Sequence, residues 1–389
     1  MSIFDTHRPA WMEIDIAALQ HNYALMRKLA GVPVMAVVKA DAYGHGAVPV
    51  ALALAEAGAT RFAVATAEEL AELRSAGIAC PILVLGFVAK RDYPQLLYDD
   101  GLTAVYSMEQ AEVLSHEASR SCCVANIHIK IDSGMSRIGF PCTEEAAEEI
   151  AQISRMPSIC ICGVFSHFAC ADELDCAYNE QQLRAFQQMV ALCQSKGVEF
   201  PLVHMGNSAA ILQLPQARFD MMRTGIALYG AYPDAAMASM NLGLKPVMSV
   251  KARIVRIQSI APGTGVSYGC TWVAKEPSVI ATLPLGYADG VPRLLSNCGH
   301  VLIGGKRAPI VGRVCMDQFM VDITAIAKEQ KVEVNDEAVF LGRQGDEEIG
   351  IDEIAAHAQT VNYEILCHLG HRLPRNYIHF DLAEVWKCV

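Results

Sequence analysis

Lys39 is the residue whose type and position first suggest chemistry. It ends the apolar run 34–38 and opens the segment Lys39-Ala-Asp-Ala-Tyr-Gly-His-Gly46. An amine at the end of a buried strand loses its proton more readily, and a neutral lysine is the nucleophile of Schiff-base chemistry. A lysine that ends a strand also suits a solvated terminus when it is taken alone. The glycine pair of this segment does not make a dinucleotide-binding fingerprint, because Pro49 stands where the third glycine belongs.

The cysteines and the remaining histidines show no metal-binding pattern. Fourteen cysteines are scattered along the chain, and Cys122-Cys123 and Cys160-Ile-Cys162 lack the spacing of a zinc site. His368 and His371 have no cysteine or acid at ligand spacing. We therefore expect free thiols, buried or partly buried, and no metal ligand.

The elements that position Lys39 are strands and helices in alternation. Eight short apolar runs rich in β-branched residues are separated by helical patterns at 47–57, 67–75 and 143–154, and such runs are typical of strands buried on both faces. The runs are 34–38, 62–65, 82–85, 103–106, 127–131, 161–165, 202–204 and 219–222. Eight strand–helix units predict a (β/α)₈ barrel over 14–244, with an open doubly wound sheet as the rival fold.

After residue 244 the pattern changes to strands separated by Gly and Pro turns. Strands are predicted at 250–260, 278–283, 308–314, 320–323 and 337–341. We predict a mostly β second domain at 245–389, together with residues 1–13. In the barrel, chemistry is expected at the C-terminal ends of the strands.

Composition excludes several classes of protein. A hydrophobic content of 52% argues against a disordered chain, and a net charge of −11 disfavours nucleic-acid binding. No apolar run is long enough to span a bilayer, and the first ten residues do not resemble a secretion signal. We expect a cytoplasmic protein.

The segment around Lys39 resembles the lysine motif of the alanine racemases, which depend on pyridoxal 5′-phosphate (PLP). The similarity continues in the same order through most of the chain, in the segments Gly163-Val-Phe-Ser-His-Phe-Ala169, Asn207-Ser-Ala-Ala210, Arg223-Thr-Gly-Ile-Ala-Leu-Tyr-Gly230, Val266-Ser-Tyr-Gly269, Leu285-Gly-Tyr-Ala-Asp-Gly290, Cys315-Met-Asp-Gln318 and Asn362-Tyr-Glu364. The fold of that family, a PLP barrel followed by a β domain, agrees with the fold predicted above.

The resemblance implies a two-base racemisation of L- and D-alanine that supplies D-alanine for peptidoglycan. Lys39 would hold PLP and serve one face of the substrate, and Tyr268 would serve the other. His167 and Arg223 are implied as neighbours of that phenol, His167 also lying against the cofactor ring. Arg223 would face the pyridine nitrogen and keep it unprotonated, because arginine does not give up its proton.

The remaining site residues bind phosphate and substrate. Loops after barrel strands seven and eight often bind phosphate, and hydroxyl groups can add donors; the residues expected there are Asn207, Ser208, Gly225, Ile226, Tyr43 and Tyr363. Arg137 and the backbone N–H of Met316 are implied for the substrate carboxylate. Tyr287 and Tyr363 would narrow the pocket around the substrate methyl group.

Lys130 is predicted to be carbamylated, as the matching lysine is in several family members. The modification would turn a cation near Arg137 into an anion. An ordinary lysine paired with an acid is the alternative.

Family members share their active sites between two chains, and the resemblance therefore implies a homodimer in which Tyr268 and Met316 reach the partner's cofactor. The alternatives are a broad-specificity racemase of alanine and serine, a PLP-dependent decarboxylase of the same architecture, and a non-catalytic barrel protein of PLP homeostasis. Cys315-Met-Asp-Gln318 argues against the decarboxylase, and the long segment after the barrel argues against the homeostasis protein.

Overall fold

The computed structural model of the protein describes residues 8–370 and 372–379. Within them the chain divides into two compact units, which we call the barrel unit and the β unit. The barrel unit comprises Leu19–Ala42 and Ala47–Leu244, and the β unit comprises 8–18, Tyr43–Gly46 and the described residues from Lys245 onward. His371 and both ends of the predicted second domain lie outside the described residues.

The strands and helices are numbered here in chain order. Among the described residues the strands are β1 (Ala10–Asp15), β2 (Val34–Val37), β3 (Phe62–Val64), β4 (Ile82–Val84), β5 (Leu102–Val105), β6 (Ala125–Asp132), β7 (Phe140–Pro141), β8 (Ile159–Phe165), β9 (Val203–His204), β10 (Met222–Thr224), β11 (Met248–Arg253), β12 (Arg256–Ile260), β13 (Gly265–Val266), β14 (Trp272–Val273), β15 (Ser278–Leu283), β16 (His300–Ile303), β17 (Lys306–Val311), β18 (Phe319–Asp322), β19 (Glu337–Gln344), β20 (Glu347–Ile349) and β21 (Arg375–Ile378). The helices are α1 (Ile16–Ala30), α2 (Ala47–Glu56), α3 (Ala67–Ser75), α4 (Tyr93–Tyr98), α5 (Met108–Arg120), α6 (Glu144–Ile153), α7 (Ala177–Ser195), α8 (Ser208–Gln213), α9 (Thr324–Glu329), α10 (Ile351–His357) and α11 (Asn362–His368).

Eight parallel strands form the barrel of the barrel unit in the described residues. Their order is β10-β2-β3-β4-β5-β6-β8-β9, and an isolated parallel bridge between His204 and Met221 links the last strand back toward β10. The predicted (β/α)₈ barrel is confirmed, and the open doubly wound sheet is excluded. Strands β2 to β5 are buried along their whole length, as parallel strands covered on both faces must be.

Helix starts in the barrel unit follow ordinary capping chemistry. Thr143 caps α6 through a bond from the Ala146 N–H to its hydroxyl, and Thr66 caps α3 in the same way. Each helix carries two glutamates in its first turn, where the helix dipole favours negative charge. The helix predicted at 67–75 therefore has the predicted bounds.

The β unit is built mainly from one large sheet. Its strand order is β12-β15-β18-β17-β16-β19-β11-β1-β21, with β20 paired to β19. The segment 250–260, predicted as one strand, forms two strands, because the extended pairing is interrupted between Arg253 and Arg256. Strand β16 and the helices α9, α10 and α11 were not predicted. Among the described residues no helix combines the length and apolar composition that crossing a membrane requires.

Candidate active site

Lys39 directly follows Val38, at the C-terminal end of the first barrel strand. The next residues form a left-handed turn, in which Ala40, Asp41 and Ala42 have φ between 53° and 54°. Each such residue costs about 1–2 kcal/mol, so the surrounding structure must hold the turn in place. The Ala42 N–H donates to the Val38 carbonyl at 2.9 Å, and the Ala47 N–H donates to Asp41 Oδ1 at 2.7 Å.

Glu69 ties the turn after Lys39 to the neighbouring strand. Its Oε1 accepts the backbone N–H of Ala40 at 2.6 Å, and its Oε2 accepts that of Ala65 at 2.6 Å. These N–H groups belong to the ends of β2 and β3, so one carboxylate spans the ends of both strands. The sequence analysis did not identify Glu69.

Arg223 occupies the interior of the barrel, with 3% of its surface exposed. Its Nη2 donates to the carbonyl oxygens of Ser166 and Met205 at 2.8 and 2.9 Å, and to His167 Nδ1 at 3.0 Å. Its Nη1 donates to His204 Nδ1 at 2.8 Å. Because arginine has no acceptor, both histidine Nδ1 atoms accept, and the ring protons lie on Nε2.

A chain of two buried histidines continues from Arg223 into the barrel. His204 Nε2 lies 2.9 Å from His128 Nδ1, and Nε2 is the donor because it carries the ring proton of His204. Both rings are fully buried. Burial and the Arg61 and Arg223 charges lower the pKa of His128 to about 3. Both histidines are therefore neutral near pH 7. The sequence analysis did not identify either one.

Basic side chains gather around His167. Burial lowers the pKa of His167 well below its ordinary value, and the charges of Arg223, Arg137, Lys130 and Lys39 lower it further. The predicted residues Lys39, Lys130, Arg137, His167 and Arg223 therefore lie within electrostatic reach of one site. Such a concentration of positive charge favours an anionic ligand.

Lys130 is almost completely buried on β6. Its Nζ donates to the Ile131 carbonyl at 2.8 Å and lies 5.3 Å from the ring centre of Phe165. Burial and the Arg223 charge lower the pKa of Lys130 to about 7, although Asp132 opposes the shift. A substantial fraction of this amine is therefore neutral near pH 7.

Arg137 lies on the loop that leaves β6, and its side chain is exposed. Asp132 orders the start of the loop, because its Oδ1 accepts the N–H groups of Gly134 and Ser136, both at 3.0 Å. The Tyr178 hydroxyl donates to the Gly134 carbonyl at 2.7 Å. A loop bound at these points holds Arg137 beside the barrel end.

Hydrogen-bond donors and a helix start lie after β9 and β10. The Gly225 N–H donates to Ser208 Oγ at 2.9 Å, and Ser208 Oγ lies 3.3 Å from Thr224 Oγ1. Asn207 caps α8, because its Oδ1 accepts the Ala210 N–H at 2.9 Å. Ile226 opens a short 3₁₀ turn directly after Gly225. The four predicted phosphate-binding residues of these two loops are therefore adjacent.

Three further predicted residues, Tyr268, Tyr287 and Met316, lie in the β unit and are exposed by 72%, 43% and 52%. The N–H of the residue after Tyr287 donates to the Met316 carbonyl at 3.0 Å. Next to Tyr268, Ser267 Oγ lies 3.4 Å from Cys315 Sγ. The three side chains therefore stand on neighbouring loops of one surface.

Tyr43 and Tyr363 form a second group in the β unit. Their ring centres lie 6.2 Å apart, with the rings tilted. Asn362 positions the start of α11 by donating from Nδ2 to Asp352 Oδ1 at 2.8 Å. Tyr43 is buried and Tyr363 half-buried.

The cysteines differ in part from the expectation. Six described cysteines are exposed rather than buried or partly buried: Cys122, Cys142, Cys160, Cys270, Cys298 and Cys367. The sequence analysis predicted no metal ligand, whereas Cys170, Glu173 and Cys176 bring three ligand atoms within 4.8 Å of one another. The Cys-x₂-Glu-x₂-Cys spacing was a signal that could have found this group.

Comparisons with known proteins agree on one family. The family model "Alanine racemase, N-terminal domain" matches residues 14–233, and "Alanine racemase, C-terminal domain" matches residues 247–377. The chain is 46% identical to an alanine racemase of Halothermothrix orenii over 372 residues, which are 95% of this chain and 97% of the relative.

Two solved structures are also similar over most of their length. The alanine racemase of the D-cycloserine producer Streptomyces lavendulae has a TM-score of 0.92 at 36% identity, covering 98% of this chain and all 100% of the other. The alanine racemase of Bacillus anthracis, solved with bound L-Ala-P, has a TM-score of 0.90 at 36% identity and covers 96% of each chain.

A parallel barrel of eight strand–helix units joined to a separate β unit defines the class of this protein as a two-domain barrel enzyme. Both family models together cover most of the sequence. The chain belongs to the alanine racemase family.

Proposed function

We propose that this protein interconverts L- and D-alanine, with PLP bound at the C-terminal end of the barrel and Lys39 and Tyr268 as the two bases. The observation that carries the proposal is the set of basic side chains that act on His167, next to the lysine that ends the first strand. Membership of the alanine racemase family supports the reaction.

The donor set fits PLP. The backbone N–H of Ile226 and the Ser208 hydroxyl would hold the phosphate, the Gly225 N–H would position that hydroxyl through its bond to Ser208 Oγ, and Asn207 shapes the loop. Tyr43 and Tyr363 would add hydroxyl donors. The nearby Arg137 and Arg223 charges suit an anionic cofactor. Bound PLP supplies an electron-accepting ring that makes the α-proton of an amino acid acidic.

Arg223 would donate to the pyridine nitrogen through Nε. Its Nη1 and Nη2 already bind the barrel, whereas its Nε has no hydrogen-bond partner among the described residues. The Arg223 pKa, lowered by burial to about 9, still leaves the group mostly protonated near pH 7. A donor that keeps its proton holds the pyridine nitrogen unprotonated.

The two bases would act from opposite faces of the substrate. Lys39 Nζ, once released from the cofactor, moves the proton on one face, and the Tyr268 hydroxyl moves it on the other. His167 accepts from Arg223 at Nδ1, so its Nε2 proton would be available to stabilise the oxygen of the partner's Tyr268 when that phenol acts as a base.

The exposure of Tyr268 and Met316 supports a homodimer with shared sites. Large side chains exposed by 72% and 52% on one surface favour burial against a second chain. Tyr268 and the Met316 N–H would then reach the partner's cofactor and substrate.

Arg137 and the backbone N–H of Met316 would bind the substrate carboxylate, and Lys130 would support Arg137. Carbon dioxide adds only to a neutral amine, and the pKa of Lys130 near 7 makes this lysine reactive enough for carbamylation. The resulting carbamate anion would orient Arg137. Tyr287 and Tyr363 would limit the space around the substrate methyl group, which favours alanine over serine by about 1–3 kcal/mol at most.

We also propose that the protein acts in the cytoplasm and supplies D-alanine for peptidoglycan. Cys160 and Cys162 are free thiols although their sulfur atoms lie 3.9 Å apart, which supports a reducing compartment.

Borohydride treatment tests the proposed lysine. Treating the isolated protein should fix the cofactor on the peptide that contains Lys39 and abolish the loss of optical rotation from L-alanine. Attachment to another lysine, or full activity after reduction, would refute the assignment. A dilution series tests the shared site: a monomer with full turnover per chain would exclude it.

A further inference from the structure

The loop between β8 and α7 holds two thiols and a carboxylate close together. The Glu173 N–H donates to the Cys170 carbonyl at 3.1 Å and closes a turn. This turn brings Cys170 Sγ, Cys176 Sγ and a Glu173 carboxylate oxygen within 4.8 Å of one another. Two thiolates and a carboxylate are ligand types that zinc takes in proteins.

Side chains outside the group hold its backbone in place. Asn179 Nδ2 donates to the Cys170 carbonyl at 2.9 Å, and its backbone N–H donates to the Cys176 carbonyl at 3.0 Å. Gln213 Nε2 donates to the Glu173 carbonyl at 3.1 Å. The group is therefore built into the barrel unit and is not a chance arrangement on a loose loop.

Asn179 gives an independent indication of a ligand. The residue is only 4% exposed, yet its Oδ1 accepts no hydrogen bond within the described structure. A buried amide oxygen without a partner is destabilising. A cation, or a water bound to that cation, would satisfy it.

We propose that Cys170, Glu173 and Cys176 form a binding site for a thiophilic divalent cation, with Zn²⁺ as the best fit. Two sulfur ligands select zinc over magnesium or calcium, which prefer sites made only of oxygen. Binding forms two zinc–sulfur bonds and one zinc–oxygen bond, and the two thiol protons pass to solvent. The fourth position stays open to water.

The electrostatics of the group agree with a cation. Burial raises the pKa of the Cys170 thiol, and the negative charges of Glu173, Cys176 and Asp172 raise it further. Zinc would remove this repulsion.

Cys160 and Cys162 provide a matched control. Their sulfur atoms lie 3.9 Å apart in the same unit, yet they do not belong to a described group of three ligand residues. A Cys160→Ser variant removes one of two adjacent thiols without touching the proposed site.

The test measures Zn²⁺ binding to the reduced full chain by competition with a chromophoric chelator. We expect one tight site per chain, weakened roughly 100-fold or more in Cys176→Ser and about tenfold or more in Glu173→Gln. Cys160→Ser should bind like the unmodified protein. Equal affinity in all four proteins, or the absence of a tight site, would overturn the proposal.

A second measurement locates the metal without relying on the folding of a variant. The unmodified reduced protein is alkylated with and without Zn²⁺, and each cysteine is followed by peptide mass spectrometry. Selective protection of Cys170 and Cys176 is expected. Protection of Cys160 and Cys162 instead, or of no cysteine, would refute the site.

Discussion

Replacing Glu69 by Gln tests whether one carboxylate holds the turn that presents Lys39. The carboxylate uses both oxygens, one for the Ala40 N–H and one for the Ala65 N–H, each at 2.6 Å. Glutamine has only one acceptor oxygen. Its NH₂ group would face the second backbone N–H, and two donors cannot form a hydrogen bond. One bond is lost, and the other loses its charge assistance.

The size of the effect follows from these two bonds. A hydrogen bond to a charged group contributes about 1.5–3 kcal/mol and a neutral one about 1 kcal/mol. The Ala40 N–H is exposed, so water recovers part of the loss there. We expect Glu69→Gln to lower the free energy of local opening at this turn by about 2 kcal/mol. That value corresponds to roughly 30-fold faster amide exchange.

Hydrogen exchange measured on the peptides that contain Ala40 and Ala65 is the assay. Glu68→Gln is the matched control, because Glu68 is an exposed glutamate of the same helical turn. It should leave exchange at both amides unchanged. Under the proposed function, Glu69→Gln should also lower kcat for alanine about tenfold, which corresponds to about 1.4 kcal/mol in the barrier. Equal exchange rates in the two variants would refute the role of Glu69.

Three further predictions concern the buried basic groups. Arg223→Glu should raise transamination relative to racemisation, because a carboxylate would stabilise a protonated pyridine nitrogen. The amount of pyruvate formed per racemised alanine measures the ratio of the two reactions, and an unchanged ratio would contradict this role of Arg223. Removal of CO₂ should lower activity and bicarbonate should restore it, whereas Lys130→Gln should show neither response in the same polarimetric assay. His128 has a pKa near 3, far below the 6.5 of an exposed histidine, so between these values only the unfolded state takes up its proton and stability falls as pH falls. In that pH window the unmodified protein should lose up to about 1.4 kcal/mol more stability per pH unit than His128→Gln does. Urea unfolding at several pH values measures this difference. The exposed-site variant His116→Gln should show the same dependence of stability on pH as the unmodified protein.

Most barrel strands could be predicted because their residues are apolar and buried on both faces. The last strand shows where this criterion fails. The apolar run predicts 219–222, whereas β10 is Met222–Thr224. Arg223 and Thr224 are polar but almost fully buried, because a barrel strand is covered on both faces. A prediction based on hydrophobicity therefore places the end of the strand before the polar residues that are candidates for function.

The site was predictable in the same uneven way. Lys39, His167 and Arg223 lie within recognisable motifs, so resemblance alone assigned them. His128 and His204 are separated by 76 positions and are joined only because β6 and β9 face a common interior. Glu69 looks like an ordinary glutamate in the first turn of a helix, and its two bonds to strand ends depend on the packing of α3 against them.

The histidine chain explains how the barrel can bury a guanidinium without neutralising it. A carboxylate partner would have compensated the Arg223 charge and reduced its attraction for a ligand. Neutral His204 and His167 accept from Nη1 and Nη2 through lone pairs, and the Ser166 and Met205 carbonyls accept as dipoles. Every acceptor that these four bonds provide is uncharged, so the positive charge stays available to the site. The cost of burial appears as the lowered pKa of Arg223, and a bound anion would recover that cost. The same reasoning predicts that anion binding at the barrel end and the stability of the barrel are coupled, so inorganic phosphate should raise the melting temperature of the unmodified protein more than that of an Arg223→Met variant.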